Sequence, residues 1–146
     1  MPVVTEDARS PRRWPARELA AVAVGGLLGT GLRFALDTAL PHADDGFPLS
    51  TLVVNVVGAF VLGFLVARAW SRVAGWVRAG LGAGLLGSFT TFSALAVSLV
   101  ALARSDEWML ALAYLAATLA LGLFAAWLGL RLGRPRGQVA VDLVDE

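Results

Sequence analysis

The chain of 146 residues is 58% hydrophobic and only 16% charged, whereas soluble globular proteins contain about 25% charged residues. One water-soluble core could not bury so much apolar surface, so the composition excludes an ordinary soluble domain and predicts a membrane protein. The absence of cysteine excludes disulfides and thiolate chemistry, and the net charge of +1 conceals an uneven distribution of arginine.

Four apolar blocks follow an N-terminal segment, residues 1–16, that is rich in arginine and proline and is predicted to be a disordered arm. The blocks are residues 17–40, 48–67, 79–103 and 108–130. Each is long enough to cross a hydrocarbon layer of about 30 Å, which takes roughly 20 helical residues. We therefore predict an all-α membrane protein with a four-helix transmembrane domain over residues 17–131 and a polar tail over residues 132–146. The short connections predict that neighbouring helices are antiparallel.

The arginines lie almost entirely on one side of this predicted bundle. Ten belong to the arm, the second connection and the tail: Arg9, Arg12, Arg13, Arg17, Arg68, Arg72, Arg78, Arg131, Arg134 and Arg136. Only Arg104 flanks a helix on the opposite side. Because positive residues are retained on the cytoplasmic side during insertion, we predict a multi-pass protein of the cell membrane with both termini in the cytoplasm.

The first two blocks contain polar residues that do not belong against lipid. Arg33 shares a helical face with Asp37, and burying arginine at the bilayer centre costs at least about 2.5 kcal/mol. Arg33 must therefore face protein or a water-filled vestibule, where it either pairs with Asp37 or attracts anions. In the second block, Thr51 and Asn55 share a stripe with Gly58. The Asn55 amide either ties helices together or replaces part of the hydration of an anion.

The third block combines glycines with a cluster of hydroxyl and aromatic residues. It reads Gly80-Leu-Gly-Ala-Gly-Leu-Leu-Gly-Ser-Phe-Thr-Thr-Phe-Ser93. Glycine at this density weakens a helix in mid-span, and interrupted helices recur at ion sites because their freed carbonyls need partners. Close packing through Gly80 and Gly84 is the alternative, but it explains only the glycines. The sequence thus predicts a broken third helix.

The fourth block carries a narrow polar stripe of Tyr114, Thr118 and Gly122 at intervals of four. These hydroxyls could line a path for an ion. The edges of aromatic rings carry partial positive charge, so phenylalanine beside amide and hydroxyl donors can solvate a small anion. This combination favours fluoride over a cation.

Four motifs in the expected order resemble those of the Fluc (CrcB) fluoride channels, and the resemblance covers nearly all of the membrane part. The motifs are Gly25-Gly26-x-x-Gly29-x-x-x-Arg33-Phe34, Pro48-Leu-x-Thr51-Leu-x-x-Asn55-x-x-Gly58, Gly87-x-x-Thr90-Thr91-Phe92-Ser93, and Tyr114 with Thr118. The resemblance implies an antiparallel, dual-topology-type dimer of four-helix subunits with two pores. Such a channel releases fluoride passively and lowers its toxicity in the cytoplasm.

The resemblance also implies roles for individual residues. Backbone carbonyls of Gly87 and Thr90 would bind a structural Na⁺ at the dimer centre that is not transported. Asn55 and Phe92 would line the fluoride path, and Arg33 would lie near a vestibule. The other residues assigned to the ion pathway are Thr51, Ser93, Tyr114 and Thr118.

Two departures from the family pattern keep the partner open between an identical subunit and a paralogue. Ala94 and Leu95 stand where the family usually has threonine and a second pore phenylalanine. The arginine bias predicts one orientation only, whereas antiparallel homodimers need nearly balanced flanks. Both departures favour a heterodimer whose oppositely oriented partner completes at least one pore.

Two other functions are weighed against the fluoride channel. A small drug or cation transporter would want a carboxylate in the membrane, but Glu18 and Asp37 lie towards the ends of the first helix. A non-conducting partner subunit is the second alternative. We expect no enzymatic activity, because the only histidine, His42, has no nucleophile or carboxylate cluster around it. No nucleic-acid partner is implied.

Overall fold

The computed structural model describes residues 15–40 and 46–135, which form helices and connecting turns. The helices are α1 (Ala16–Ala39), α2 (Leu49–Arg68), α3 (α-helical Gly75–Ala79, π-helical Gly80–Leu86 and α-helical Gly87–Phe89), α4 (Phe92–Arg104) and α5 (Trp108–Gly133). Helices α1, α2, the α3–α4 pair and α5 give four segments that are long and apolar enough to cross a membrane. The predicted all-α fold with four spans is confirmed.

Some of the predicted boundaries differ from those of the structure or cannot be compared with it. The third span begins at Gly75 rather than at residue 79, and α5 continues to Gly133 rather than ending at residue 130. Residues 1–14, 41–45 and 136–146 lie outside the described residues, so the predicted arm, His42 and most of the predicted tail have no structural counterpart here.

Proline residues begin the first two helices. The Pro15 carbonyl accepts hydrogen bonds from the Glu18 and Leu19 N–H groups, at 2.9 and 3.3 Å. The Pro48 carbonyl accepts in the same way from the Leu52 N–H, at 3.1 Å. Proline has no N–H to leave unpaired and its φ is restricted, so it is well suited to a helix start.

Glycines bring α1 and α3 together at backbone distance. A Cβ atom at Gly25 would overlap the Gly80 carbonyl, and one at Gly29 would overlap the Leu85 carbonyl. A Cβ at Gly84 would lie 2.7 Å from the Val22 carbonyl oxygen. The glycines of the third span therefore serve close helix packing, as the alternative interpretation of the sequence proposed.

A second set of glycines joins α2 to α5. Added Cβ atoms at Gly63 and Gly129 would overlap the carbonyls of Ala126 and Phe60. One at Gly133 would lie 2.6 Å from the Phe64 carbonyl oxygen. Beside this pair, α4 packs on α5 around a small apolar core, whose buried members are Leu52, Leu95, Leu102, Ala111 and Tyr114.

The break in the third span lies after the glycine-rich stretch, not within it. Gly80–Leu86 stays helical in the wider π form, in which the Gly87 N–H donates to the Gly82 carbonyl. The chain leaves the helix at Thr90, where φ is −75° and ψ is 154°. Thr91 is extended as well, with φ −149° and ψ 120°. The predicted broken third helix is confirmed at Thr90 and Thr91, and the glycines before it lie in a widened helix. Packing against α1 holds them in helical conformation.

Candidate functional site

Asn55 on α2 clamps the break in the third span. Its Nδ2 donates to the Thr91 carbonyl at 3.0 Å, and its Oδ1 accepts from the Thr91 N–H at 2.8 Å. The amide side chain thus pairs with both backbone groups of a buried residue that has left the helix. Asn55 does tie two elements together, and one of its two N–H bonds is left for another acceptor.

The break takes the helical donors away from the four carbonyls of residues 87–90, and the new acceptor is a side chain for two of these donors. In a continuous α-helix, the Thr91 N–H would return to Gly87 and the Ala94 N–H to Thr90. Here the Thr91 N–H goes to Asn55, and the Ala94 N–H goes to the Thr91 hydroxyl at 3.1 Å. The carbonyls of Gly87 and Thr90 are therefore the two released by these diverted bonds. They are also the two assigned to the cation by resemblance.

These two residues line an open cavity of about 360 Å³, together with Asn55 and Gly58. Gly58 has no space for a side chain, because a Cβ there would overlap the Thr90 methyl group. Gly87 is exposed, and an added Cβ would meet only the Gly82 oxygen at 3.5 Å. Carbonyl oxygens are hard ligands of the kind that small cations prefer.

Phe92 lies outside the core of the subunit, at the start of α4. Its side chain is 81% exposed, and Ser93 beside it is exposed as well. The Ser93 hydroxyl shares a hydrogen bond with the Thr91 hydroxyl at 3.1 Å. The structure thus places both residues at the break but on the surface of one subunit.

Arg33 lines a second cavity of about 330 Å³ that reaches the break from the other side. Thr30, Asp37, Thr91 and Ser93 also contribute to its wall. Within the part of the chain that the structure describes, Arg33 and Asp37 share this cavity without forming a salt bridge. The guanidinium is therefore available to an anion near Thr91 and Ser93.

The hydroxyl residues of α2 and α5 form a buried cluster one helical turn from Asn55. Thr51, Tyr114 and Thr118 are 5%, 0% and 7% exposed. The Tyr114 ring packs edge-on against Phe47, with centroids 5.5 Å apart. The Tyr114 hydroxyl and Thr118 Oγ1 are buried without a hydrogen-bond partner among the described residues. Buried polar atoms in this state are candidates for ligand or water contacts.

Sequence reasoning missed two further hydroxyl residues, Ser98 and Ser50. The Ser98 hydroxyl lies near that of Tyr114, and Ser50 Oγ is a further buried polar atom without a partner in the described chain. The criterion that selected Thr118, a lone hydroxyl in an apolar helix, would have found Ser98 in α4. Leu95 lies in the adjoining apolar core, 5% exposed, and so points into the subunit rather than towards the cavities.

Comparison with known proteins gives one family. Residues 20–130 match the family model described as "CrcB-like protein, Camphor Resistance (CrcB)". The chain is 39% identical to "Fluoride-specific ion channel FluC 1" of Geobacillus kaustophilus over 113 residues, 77% of this chain and 95% of that one. It is 43% identical to "Fluoride-specific ion channel FluC" of Thermus thermophilus over 114 residues, 77% of this chain and 91% of that one. A FluC of Xylella fastidiosa is 42% identical over 120 residues, 80% and 84% of the two chains.

Proposed function

Since the chain belongs to the CrcB family of fluoride-specific ion channels, we propose that it is a channel subunit through which fluoride leaves the cytoplasm passively. Such release lowers the toxicity of fluoride to the cell. The observation that carries the proposal is the broken third span clamped by Asn55, which lies between a cavity lined by Arg33 and a cavity lined by Asn55, Gly87 and Thr90. A channel is a binding and conducting protein rather than an enzyme.

Neutral donors and aromatic edges carry the anion in this proposal. Arg33 attracts fluoride into the cavity that it lines, and the remaining N–H of Asn55 together with the Phe92 ring edge replaces water around the anion. Ser93 and the hydroxyls of Thr51, Tyr114 and Thr118 continue the path. The burial of the Tyr114 hydroxyl beside those of Thr51, Ser98 and Thr118 supports this assignment, because an anion or water can bind among several hydroxyl donors.

A structural Na⁺ belongs to the same proposal. The carbonyls of Gly87 and Thr90 would hold it at the centre of the dimer, where its positive charge stabilises the broken helix. The diversion of their helical donors supports this fit, as does the exposure of Gly87. We expect a higher thermal unfolding midpoint in NaCl than in the chloride of a large organic cation at equal ionic strength. Equal midpoints would contradict the cation site.

The second subunit completes the path. Phe92 is almost fully exposed on one subunit, so a path lined by its ring needs another wall. We propose an antiparallel arrangement whose partner is a paralogue of opposite orientation, because ten of the twelve arginines lie on one side. Leu95 points into the apolar core of the subunit, so the proposal of a paralogue rests on the arginine distribution.

Fluoride release from liposomes tests the proposed function. The protein is purified from its native membrane, so that a partner subunit is retained, and reconstituted into liposomes loaded with potassium fluoride or potassium chloride. After valinomycin is added, we expect rapid release of fluoride and retention of chloride, recorded with ion-selective electrodes. Equal release of both anions, or of neither, would contradict a fluoride channel. Full-rate release from this chain expressed alone would remove the heterodimer from the proposal.

A further inference from the structure

Three arginines converge at the ends of α2 and α5, away from the break. Arg68, Arg131 and Arg134 line a cavity of about 420 Å³, together with Leu132. Neither the fluoride path nor the cation site proposed above uses these residues. The arginine bias alone would explain their presence on this side of the membrane, but not their convergence on one cavity.

Close packing of the two helices holds the cavity walls in place. Gly63 on α2 and Gly129 and Gly133 on α5 allow the backbones to approach at carbonyl distance. The last turns of both helices therefore lie side by side. Arg68 ends α2, and Arg131 lies in the last turn of α5.

The cavity has uncompensated positive charge. No carboxylate lines it among the described residues. The negative ends of two helix dipoles offset part of the charge, but each amounts to only about half an elementary charge. Three guanidiniums facing one space repel each other unless an anion lies between them, and the planar guanidinium fork matches phosphate oxygens in pairs.

Aromatic and apolar surface adjoins this charge. The Arg131 guanidinium lies 5.3 Å from the Trp127 ring centroid, and Trp127 packs against Phe124 at 5.6 Å. Leu132, Phe124 and Trp127 are 60%, 57% and 49% exposed. Tryptophan of this kind lies at headgroup level in membranes. A ligand that joins an anionic head to a hydrocarbon tail fits both surfaces, whereas inorganic phosphate fits only the charged one.

We propose that the cavity formed by Arg68, Arg131 and Arg134 binds the phosphodiester headgroup of an anionic phospholipid, with the acyl chains along the exposed face of α5. Basic cavities between membrane helices recognise anionic headgroups through this combination of charge and position. The site is independent of the fluoride path, so it can be tested whether or not the channel conducts.

Native mass spectrometry of the intact channel in detergent tests the proposal. Protein is mixed with phosphatidylglycerol, phosphatidylcholine or inorganic phosphate, and the retained adducts are counted. We expect phosphatidylglycerol to be retained preferentially, and its affinity to fall roughly fivefold for each arginine replaced in Arg131→Gln and Arg131→Gln/Arg134→Gln. Arg104→Gln is the matched control, because it removes a lone arginine from the opposite connection and should leave retention unchanged.

Several outcomes overturn the proposal. Equal retention of both lipids would show that the cavity does not select an anionic headgroup. Equal losses of phosphatidylglycerol retention in the Arg104 and Arg131 variants would show that only general surface charge attracts the lipid. Saturable retention of inorganic phosphate that competes with phosphatidylglycerol would assign the cavity to a free anion. Retention that appears only after the tail acids Asp142, Asp145 and Glu146 are neutralised would assign it to the chain's own tail. Arg131→Lys keeps the charge, so loss of retention there together with a lowered unfolding midpoint would indicate a purely structural arginine.

Discussion

Asn55 has a backbone-like role at the break, because its amide offers one donor and one acceptor to the two freed groups of Thr91. A carboxylate, which only accepts, or an apolar side chain, which does neither, cannot satisfy both. The clamp also fixes the direction of Phe92 and Ser93, which follow Thr91 directly. The same side chain therefore supports the break and, in the proposed function, faces the ion.

Replacing Asn55 by alanine should lower both stability and fluoride release. Each orphaned backbone group costs about 1–3 kcal/mol, so we expect a loss of roughly 2 kcal/mol or more in the free energy of unfolding. Thr38→Ala is the control, because Thr38 is exposed, bonds only to carbonyls of its own helix and lines neither cavity at the break. Chemical unfolding in detergent and liposome release measure the two effects. An Asn55→Ala protein of normal stability would show that the clamp is dispensable.

Polarity inside apolar blocks indicates Arg33 and Asn55, whereas Gly87 and Thr90 are assigned by resemblance alone. The structure brings these four residues to the two cavities around the break, and their roles there stay predictions. The clamp itself could not be predicted, since Asn55 and Thr91 meet only through tertiary packing between α2 and the third span. Likewise, no spacing rule indicates that Arg33 and Asp37 share a cavity without pairing.

At the scale of elements, the glycines of this chain have two structural roles: close contact between helix backbones and space for a neighbouring side chain. In α1, α3, α2 and α5 glycine allows backbones to touch, and at Gly58 it leaves space for one threonine methyl group. Helix lengths and the four spans followed directly from apolar block length. The position of the break does not follow from block length or glycine content, but it lies within the Gly87-x-x-Thr90-Thr91-Phe92-Ser93 motif that carries the resemblance. The Thr-Thr pair, with a hydroxyl that caps α4, is the local signal that decides it.

Two glycines of α1 should respond oppositely to alanine. Gly29→Ala forces a Cβ into the Leu85 carbonyl, so we expect a loss of about 1–3 kcal/mol in unfolding free energy from overpacking. Gly31 has nothing within 4 Å of an added Cβ, and Gly31→Ala should be neutral or stabilising by up to about 1 kcal/mol. Thermal unfolding of the two variants side by side measures the difference. Equal midpoints would argue against backbone contact between α1 and α3.

Gly58 and Thr90 should be coupled through a single methyl group. Gly58→Ala places a Cβ in the volume of the Thr90 Cγ2, which we expect to cost about 1–3 kcal/mol. Thr90→Ser removes that methyl group but keeps the hydroxyl bond to the Leu86 carbonyl at 2.8 Å. The double variant should therefore recover most of the stability. A double-mutant cycle that shows additive losses would contradict direct contact between these residues.

At the scale of the whole molecule, the arginine distribution conflicts with a symmetric antiparallel pair. A chain with ten flanking arginines on one side and one on the other has a strong preference for one orientation, whereas an antiparallel homodimer needs both. The exposed Phe92 and the open cavity at Gly87 meanwhile leave the subunit without the second wall that the proposed path requires. Length and composition predicted the fold of one subunit, but they contain no information on the partner surface that would cover Phe92 and the cavity at Gly87.

Inverting the arginine bias tests this conflict directly. A reporter fused to the C-terminus, active only in the cytoplasm, should show a single orientation for this chain. A second version, in which Arg68, Arg72 and Arg78 become glutamine and arginines are added to the first and third connections, should insert partly or wholly inverted because positive residues set the orientation. If opposite orientation is what a single subunit lacks, co-expression of both versions should protect a fluoride-sensitive host better than either alone. Full protection by the original chain alone, with the reporter in one orientation, would rule out an antiparallel requirement.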